Sequence, residues 1–408
     1  MLEPILVIGL ILFGGFIMGE VCRRLGLPKV TGYILAGLLL NPRLTPIIPG
    51  DFVEHTDLVT NISLAFITFS VGGTLLMEKI RTLGKPIILI TLFEAECAFL
   101  FVATAFVTVV PLLGGFGDGS TVGQVLPMAL LLGALAAPTD PSATLAVVHE
   151  YHAKGEVTST IMGVAAFDDI LGIINYSLAI SFAAMFVLHQ PLRSDSLLEP
   201  VIKIVGSIGI GILFGWILNG LIRLIRHEKE GVLITLVFSL LALCYGVTSS
   251  LGGDELLSTM AMGVVVTNYN PQRDKVFQIL ERYTEELIFV LFFTLSAMHL
   301  DFSVLMANLP IILLFVLFRS LGKWTGAFLG GKLGRSSRMV QRYTVGGLLP
   351  QGGIVIGLAL LIRQDATFAD FAAILVNVII GATIVHEIIG PIVSKTALRL
   401  AGELPKSS

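Results

Sequence analysis

Charge is scarce in this sequence. Only 13% of its 408 residues are Asp, Glu, Lys or Arg, against about 25% in an ordinary soluble domain. The hydrophobic share is 55%, and mean hydropathy is +0.90. Together these exclude a water-soluble globule and point to an all-α polytopic membrane protein. Nucleic acid is excluded as a partner: the formal net charge is -3, the pI is near 6.2, and no basic stripe with interleaved aromatics occurs. Cysteine is nearly absent. Cys22, Cys97 and Cys244 form neither a CxxC nor a metal spacing, so they read as small core residues rather than a disulfide framework or zinc site. The N-terminal apolar run is not expected to be a secretory leader, because it has no basic residues before it and no A-x-A-like site. That run reads as a first membrane helix entering from outside.

What is present is a series of apolar runs between polar and Gly/Pro breaks. They predict thirteen spans, at 4–22, 29–41, 52–78, 85–110, 121–150, 157–187, 200–226, 230–249, 255–267, 275–299, 304–334, 340–363 and 366–400. With the N-terminus outside, the outer loops hold only Arg43, Arg193 and Arg363 of the 26 basic residues. Lys203, Arg319 and Lys323 lie within spans, and all the others fall in cytoplasmic segments. This positive-inside asymmetry predicts an outer N-terminus and a cytoplasmic C-terminus.

Removing the seventh span leaves two sets of six running in opposite directions. The fifth member of each set is interrupted, at "LAAPTDPSAT" (135–144) and at "GLLPQGGIVIG" (347–357). Matched broken helices in inverted halves point to a midplane ion site in a secondary transporter. Gly and Pro are common in membrane helices generally, but that explanation accounts poorly for two breaks at equivalent places. Backbone freed by a break must be satisfied inside protein or in a wet cavity. Asp140 and Gln351 flank the breaks, where they either satisfy the half-helix ends or touch the ion directly.

The most costly feature is "VAAFDDILGIIN" (163–174), with Asp168 and Asp169 adjacent in an apolar run. Asp168 is about 11 residues into its span, roughly 17 Å deep at 1.5 Å per residue. A charge there costs about 2.5–3.5 kcal/mol on insertion scales. Side chains about 100° apart do not readily share one partner, so each carboxylate needs its own. Arg319 and Lys323, four apart in "LFRSLGKWTGAFLGG", supply cationic partners near the same depth. A carboxylate poised between desolvation and a nearby cation lets a proton and a small cation compete for the same oxygens. The alternative is a set of buried ion pairs that only fix helix packing.

Lesser candidates are Glu94 and Glu96, as partners of Arg319 or as cavity-facing groups, and Glu387, as a cap on a kink at Pro391. Asn175 is a support for Asp168, and His149 and His152 are either a pH-sensing pair or a solvated loop. "GFGD" (115–118) matches an intramembrane aspartyl protease pattern, but no Tyr-Asp dipeptide supplies a second carboxylate. A passive cation channel is the stronger rival, although paired Lys and Asp in inverted repeats suit alternating access better.

In order along the chain, "GEVCRRLGLPKVTGYILAGLLLNP" (19–42), "APTDPSA", "FDD", "RSLGKWTGAFLG" and "VGGLLPQGGIVIGLAL" resemble the monovalent cation/proton antiporter superfamily. The resemblance covers essentially the whole chain. It implies that Asp169 binds the transported cation, that Asp168 faces Lys323, and that Thr139 and Asp140 contribute from the first break. It also implies a homodimer in which 1–78 and 230–299 form a scaffold, 85–187 and 304–400 form the ion-transport core, and 200–226 links them. Asp-Asp sides with the electrogenic, Na+- or Li+-exchanging branch, whereas Gln351 is similar to the "QGG" of potassium-efflux members, so K+/H+ exchange is the runner-up. The expected setting is a bacterial inner membrane, with lipids as neighbours. No cofactor beyond the transported ions and no fused regulatory domain after Ser408 is expected.

Overall fold

The computed structural model describes residues 3–25, 27–45, 48–78, 84–111, 122–140, 144, 147–148, 151, 153–189, 194–224 and 230–404. Asp118, His149 and His152 lie outside the described residues. Among the described residues all regular structure is helical. The principal helices are α1 (Pro4–Arg24), α2 (Lys29–Leu39), α3 (Asp57–Thr74), α4 (Lys85–Val109), α5 (Val122–Ala134), α6 (Glu156–Val187) and α7 (Ser194–Leu224). They continue with α8 (Glu230–Ser250), α9 (Glu255–Tyr269), α10 (Arg273–Leu280), α11 (Glu286–Met298), α12 (Leu309–Leu333), α13 (Gly353–Gln364) and α14 (Ala369–Leu400). Among the described residues, seven helices are long and apolar enough to cross a membrane alone: α1, α4, α6, most of α7, α8, α12 and α14. The chain is an integral membrane protein by this pattern. The two runs with Gly/Pro interruptions fold as half-helices: α5 ends at Ala134, and α13 begins only at Gly353, after an irregular passage.

Helix ends follow local chemistry. Pro4, Pro86 and Pro310 open α1, α4 and α12, where a missing N–H costs nothing. Asp254 caps α9 by accepting from Leu257 N at 2.9 Å. The end of α14 is a Schellman turn: Gly402 adopts φ +75, while Gly402 N and Glu403 N donate to Arg399 O and Leu398 O, both at 3.0 Å. Glu403 then caps the start of α6, accepting from Val157 N at 2.6 Å, Thr158 N at 2.8 Å and the Thr158 hydroxyl at 2.7 Å. α6 lacks a side-chain cap from its own N-cap residue, Gly155, and this distant carboxylate takes that place.

Contacts gather the chain into two compact units. The smaller comprises His55–Thr82 and Pro191–Phe292. In it α3 and α7 approach α9 at glycines: a Cβ on Gly263 would sit 2.1 Å from Phe69 O, and one on Gly211 would sit 2.0 Å from Ser258 O. Its buried polar contacts are neutral, such as Thr68 with Thr259 at 2.7 Å and Asn270 Nδ2 donating to Asn219 Oδ1 at 2.8 Å.

The larger unit comprises Met1–Glu54, Leu83–Gln190 and Phe293–Ser408. Its central contact is α12 on α4. Gly322, Gly326 and Gly330 recur every four residues along one face of α12. A Cβ on Gly326 would lie 2.1 Å from Phe93 O, and one on Gly330 would lie 2.5 Å from Leu89 O. Only hydrogen fits at such distances, so the two backbones touch. That approach sets Lys323 level with Glu94.

Candidate functional site

The two breaks meet in the larger unit and are held by side chains from α12. α5 gives way to a turn at 135–137 and irregular chain at 138–140, which leaves a series of carbonyls without helical donors. Each finds a replacement. Gln351 Nε2 donates to Leu135 O at 3.0 Å, Arg319 Nε to Ala136 O at 3.0 Å, Lys323 Nζ to Ala137 O at 2.7 Å, and Arg319 Nη2 to Pro138 O at 2.9 Å. The second break is treated likewise. Thr139 Oγ1 donates to Leu348 O at 3.3 Å, Arg319 Nη1 to Leu349 O at 2.6 Å, and Asp140 N to Pro350 O at 3.1 Å. Arg319, fully buried, thus binds both breaks through one planar fork. Gly352 passes the first break so closely that a Cβ there would be 2.7 Å from Asp140 Cβ.

Lys323 is the second cation of the site and is also fully buried. Its ammonium donates to Glu94 Oε1, to Ala137 O and to Thr139 Oγ1 at 2.8 Å. Asp168 Oδ2 lies 3.7 Å away. Glu94 and Asp168 are both fully enclosed, so one lysine stands between two carboxyls shielded from bulk solvent. Asp169, the next residue on α6, faces differently. It is half-buried, its Oδ1 is enclosed without a hydrogen-bond donor, and its charged neighbours are Asp140 and Lys323.

The lesser candidates sort as follows. Glu94 pairs with Lys323 rather than Arg319, because the glycine stripe puts the Lys323 turn of α12 against α4 while the Arg319 guanidinium is taken up by carbonyls. Glu96 accepts from Asn175 Nδ2 at 3.2 Å, so Asn175 supports Glu96 rather than Asp168. Gln351 bonds the first break through its amide nitrogen, and its Oε1 lies 3.1 Å from His386 Nδ1. Glu387 meets Thr31 Oγ1 at 3.4 Å instead of capping the kink at Pro391. Among the described residues no three His, Cys, Asp or Glu side chains gather as a closed metal centre.

Two contributions escaped the sequence reading. The hydroxyls of Thr144 and Ser394 bond Gly347 O at 2.8 Å and Gly346 O at 3.1 Å below the second break, and Glu403 caps α6. The glycine stripe on α12 was visible as a four-residue spacing. The Glu403 contact spans some 245 residues of sequence and carries no local signal.

Comparison with known proteins bears on the family and the fold. The family described as "Sodium/hydrogen exchanger, transmembrane" matches residues 8–399. The chain is similar to the Na(+)/H(+)-K(+) antiporter GerN of Bacillus cereus, 25% identical over 92% of this chain and 93% of that one. It is similar to an Na(+)/H(+) antiporter of Enterococcus hirae, 24% identical over 95% and 97%. In fold it is similar to the solved structure of the sodium proton antiporter MjNhaP1 of Methanocaldococcus jannaschii, with TM-score 0.76, 21% identity and 98% of each chain covered.

Proposed function

The chain belongs to the sodium/hydrogen exchanger transmembrane family, and on that premise we propose that it exchanges Na+ or Li+ for protons by alternating access, with Asp169 binding cation and proton in turn. The observation that carries this reading is the enclosed, donor-free oxygen of Asp169 beside crossed half-helices whose backbone is already satisfied by Arg319, Lys323 and Gln351. An oxygen so placed calls for a proton or a cation. The two exclude each other there, and that competition couples their fluxes. Asp168, Asp140 and Thr139 supply further oxygens around the crossing, and Glu94 and Lys323 balance the charge.

The exchange is electrogenic in this reading. Lys323 is held by Glu94, Ala137 O and Thr139 and lies 3.7 Å from Asp168, so a cation arriving at Asp169 disturbs its pairing and moves a second proton. The protein works as a homodimer, with its N-terminus outside and its C-terminus in the cytoplasm. Exchange of K+ for protons is the second reading, favoured by Gln351 beside the break and by the name of the Bacillus cereus relative.

The test is cation-induced pH change in proteoliposomes, repeated with Na+, Li+ and K+ and with a valinomycin-set potential in the Na+ and Li+ runs. Proton flux driven by Na+ or Li+ and altered by the potential is expected. Flux driven by K+ alone would select the second reading, and absence of any coupled flux would refute both.

A further inference from the structure

Glu387 is a buried carboxyl outside the hydrogen-bond network of Arg319 and Lys323. It lies 18 residues into the 32-residue α14, near mid-depth by helix rise, and is 0% exposed. Among the described residues Oε2 meets only the Thr31 hydroxyl of α2, at a long 3.4 Å, and the enclosed Oε1 accepts no hydrogen bond. Among the described residues it makes no ion pair within 4 Å. The charged groups acting on it are Asp140 of the first break and Arg319 of α12, and Arg319 is already committed to four carbonyls. Its own helix adds His386, whose Nδ1 faces Gln351 Oε1. His386 thus ties the Glu387 turn of α14 to the second break, and Asp140 acts electrostatically on both Glu387 and Asp169.

A bare carboxylate in such a place leaves an oxygen that nothing in the protein satisfies. Protonation removes that deficit, because the neutral carboxyl carries no charge into the enclosed site. We propose that Glu387 is a further proton-binding residue of the exchange reaction, holding a proton while the crossing is free of cation and releasing it when a monovalent cation is bound. In this step the O–H bond of the Glu387 carboxyl breaks and its proton leaves to water; because the cation takes the place of the proton on Asp169, the cation-bound crossing is one unit more negative than the cation-free one, and that unit is the extra charge moved per cation. This rests on the reading of Asp169 as the cation site and adds a proton that the reading does not include.

The experiment counts protons released when NaCl or LiCl is added to the full-length, detergent-solubilised protein in weak buffer with a pH dye. Choline chloride serves as the ionic-strength control, and calorimetry measures bound cation. Wild type and Glu387→Asp are expected to release about one proton more per bound cation than Glu387→Gln, with cation still bound in all three. Equal release from wild type and Glu387→Gln overturns the inference. Asp169→Asn separates the two readings: a cation response that survives in Asp169→Asn defeats the site assignment itself. Should Glu387→Gln not fold, infrared difference spectra of wild type labelled with 13C-glutamate replace it. Loss of a protonated glutamate C=O band on Na+ or Li+ addition is then expected, and its absence overturns the inference.

Discussion

The two compact units bury polar groups in opposite ways. In the smaller unit every buried polar residue among those described is neutral, including Thr68, Ser207, Asn219, Thr259 and Asn270. Most bond a backbone carbonyl one turn back or a matching neutral partner. In the larger unit the buried set adds Glu94, Asp168, Arg319, Lys323 and Glu387. Several of their oxygens, with Asp169 Oδ1, lack donors. Neutral hydroxyls in an apolar helix cost little once bonded, whereas each enclosed charge costs several kcal/mol before its partners are counted. The buried charge on which the proposed exchange depends therefore lies in the larger unit.

Substitutions that break this contrast scale with it. The largest effect is expected from Arg319→Ala, which strips donors from Ala136, Pro138 and Leu349 together. A loss of about 3–5 kcal/mol is expected, in line with removing one partner from a buried charged network. Thermal unfolding in detergent and exchange in proteoliposomes should both collapse. Native stability in this variant would show that the breaks hold without the fork.

Gly326→Val comes next. Its side chain has no room against Phe93 O, so α12 must shift from α4 and separate Lys323 from Glu94. Overpacking of this kind costs about 1–3 kcal/mol, and exchange should fall at least tenfold. Lys323→Gln is expected to keep partial exchange while losing its response to a valinomycin-set potential. Exchange as voltage-sensitive as the wild type's would clear the lysine of that role. The smallest effect belongs to Thr68→Val in the other unit, which removes one neutral hydroxyl contact with Thr259. Stability should change by about 1 kcal/mol or less, with exchange unaltered. A large loss of exchange there would end the contrast between the units.

Much of this was legible in the sequence for a physical reason. Membrane burial makes charge so costly that Asp168, Asp169, Arg319 and Lys323 stand out against apolar runs, and Pro and Gly mark both breaks. The partners were harder to read. Arg319 bonds backbone carbonyls, which carry no letter in a sequence, so a carboxylate seemed its natural partner. Glu94 meets Lys323 because the glycine stripe fixes the register of α12 on α4, and the stripe shows in sequence without showing which helix it faces. Glu387 and Glu403 look alike as letters, yet one is enclosed at mid-depth and the other caps a helix start. Only the packing of α14 separates them.

In the proposed exchange, cation and proton alternate at Asp169. Asp169→Asn keeps the side chain's shape and removes the oxygen that both ions need. Purified, folded Asp169→Asn in proteoliposomes, given a Na+ or Li+ gradient, is expected to show no cation-dependent proton flux while wild type under the same gradient does. Undiminished flux in the mutant would contradict the account.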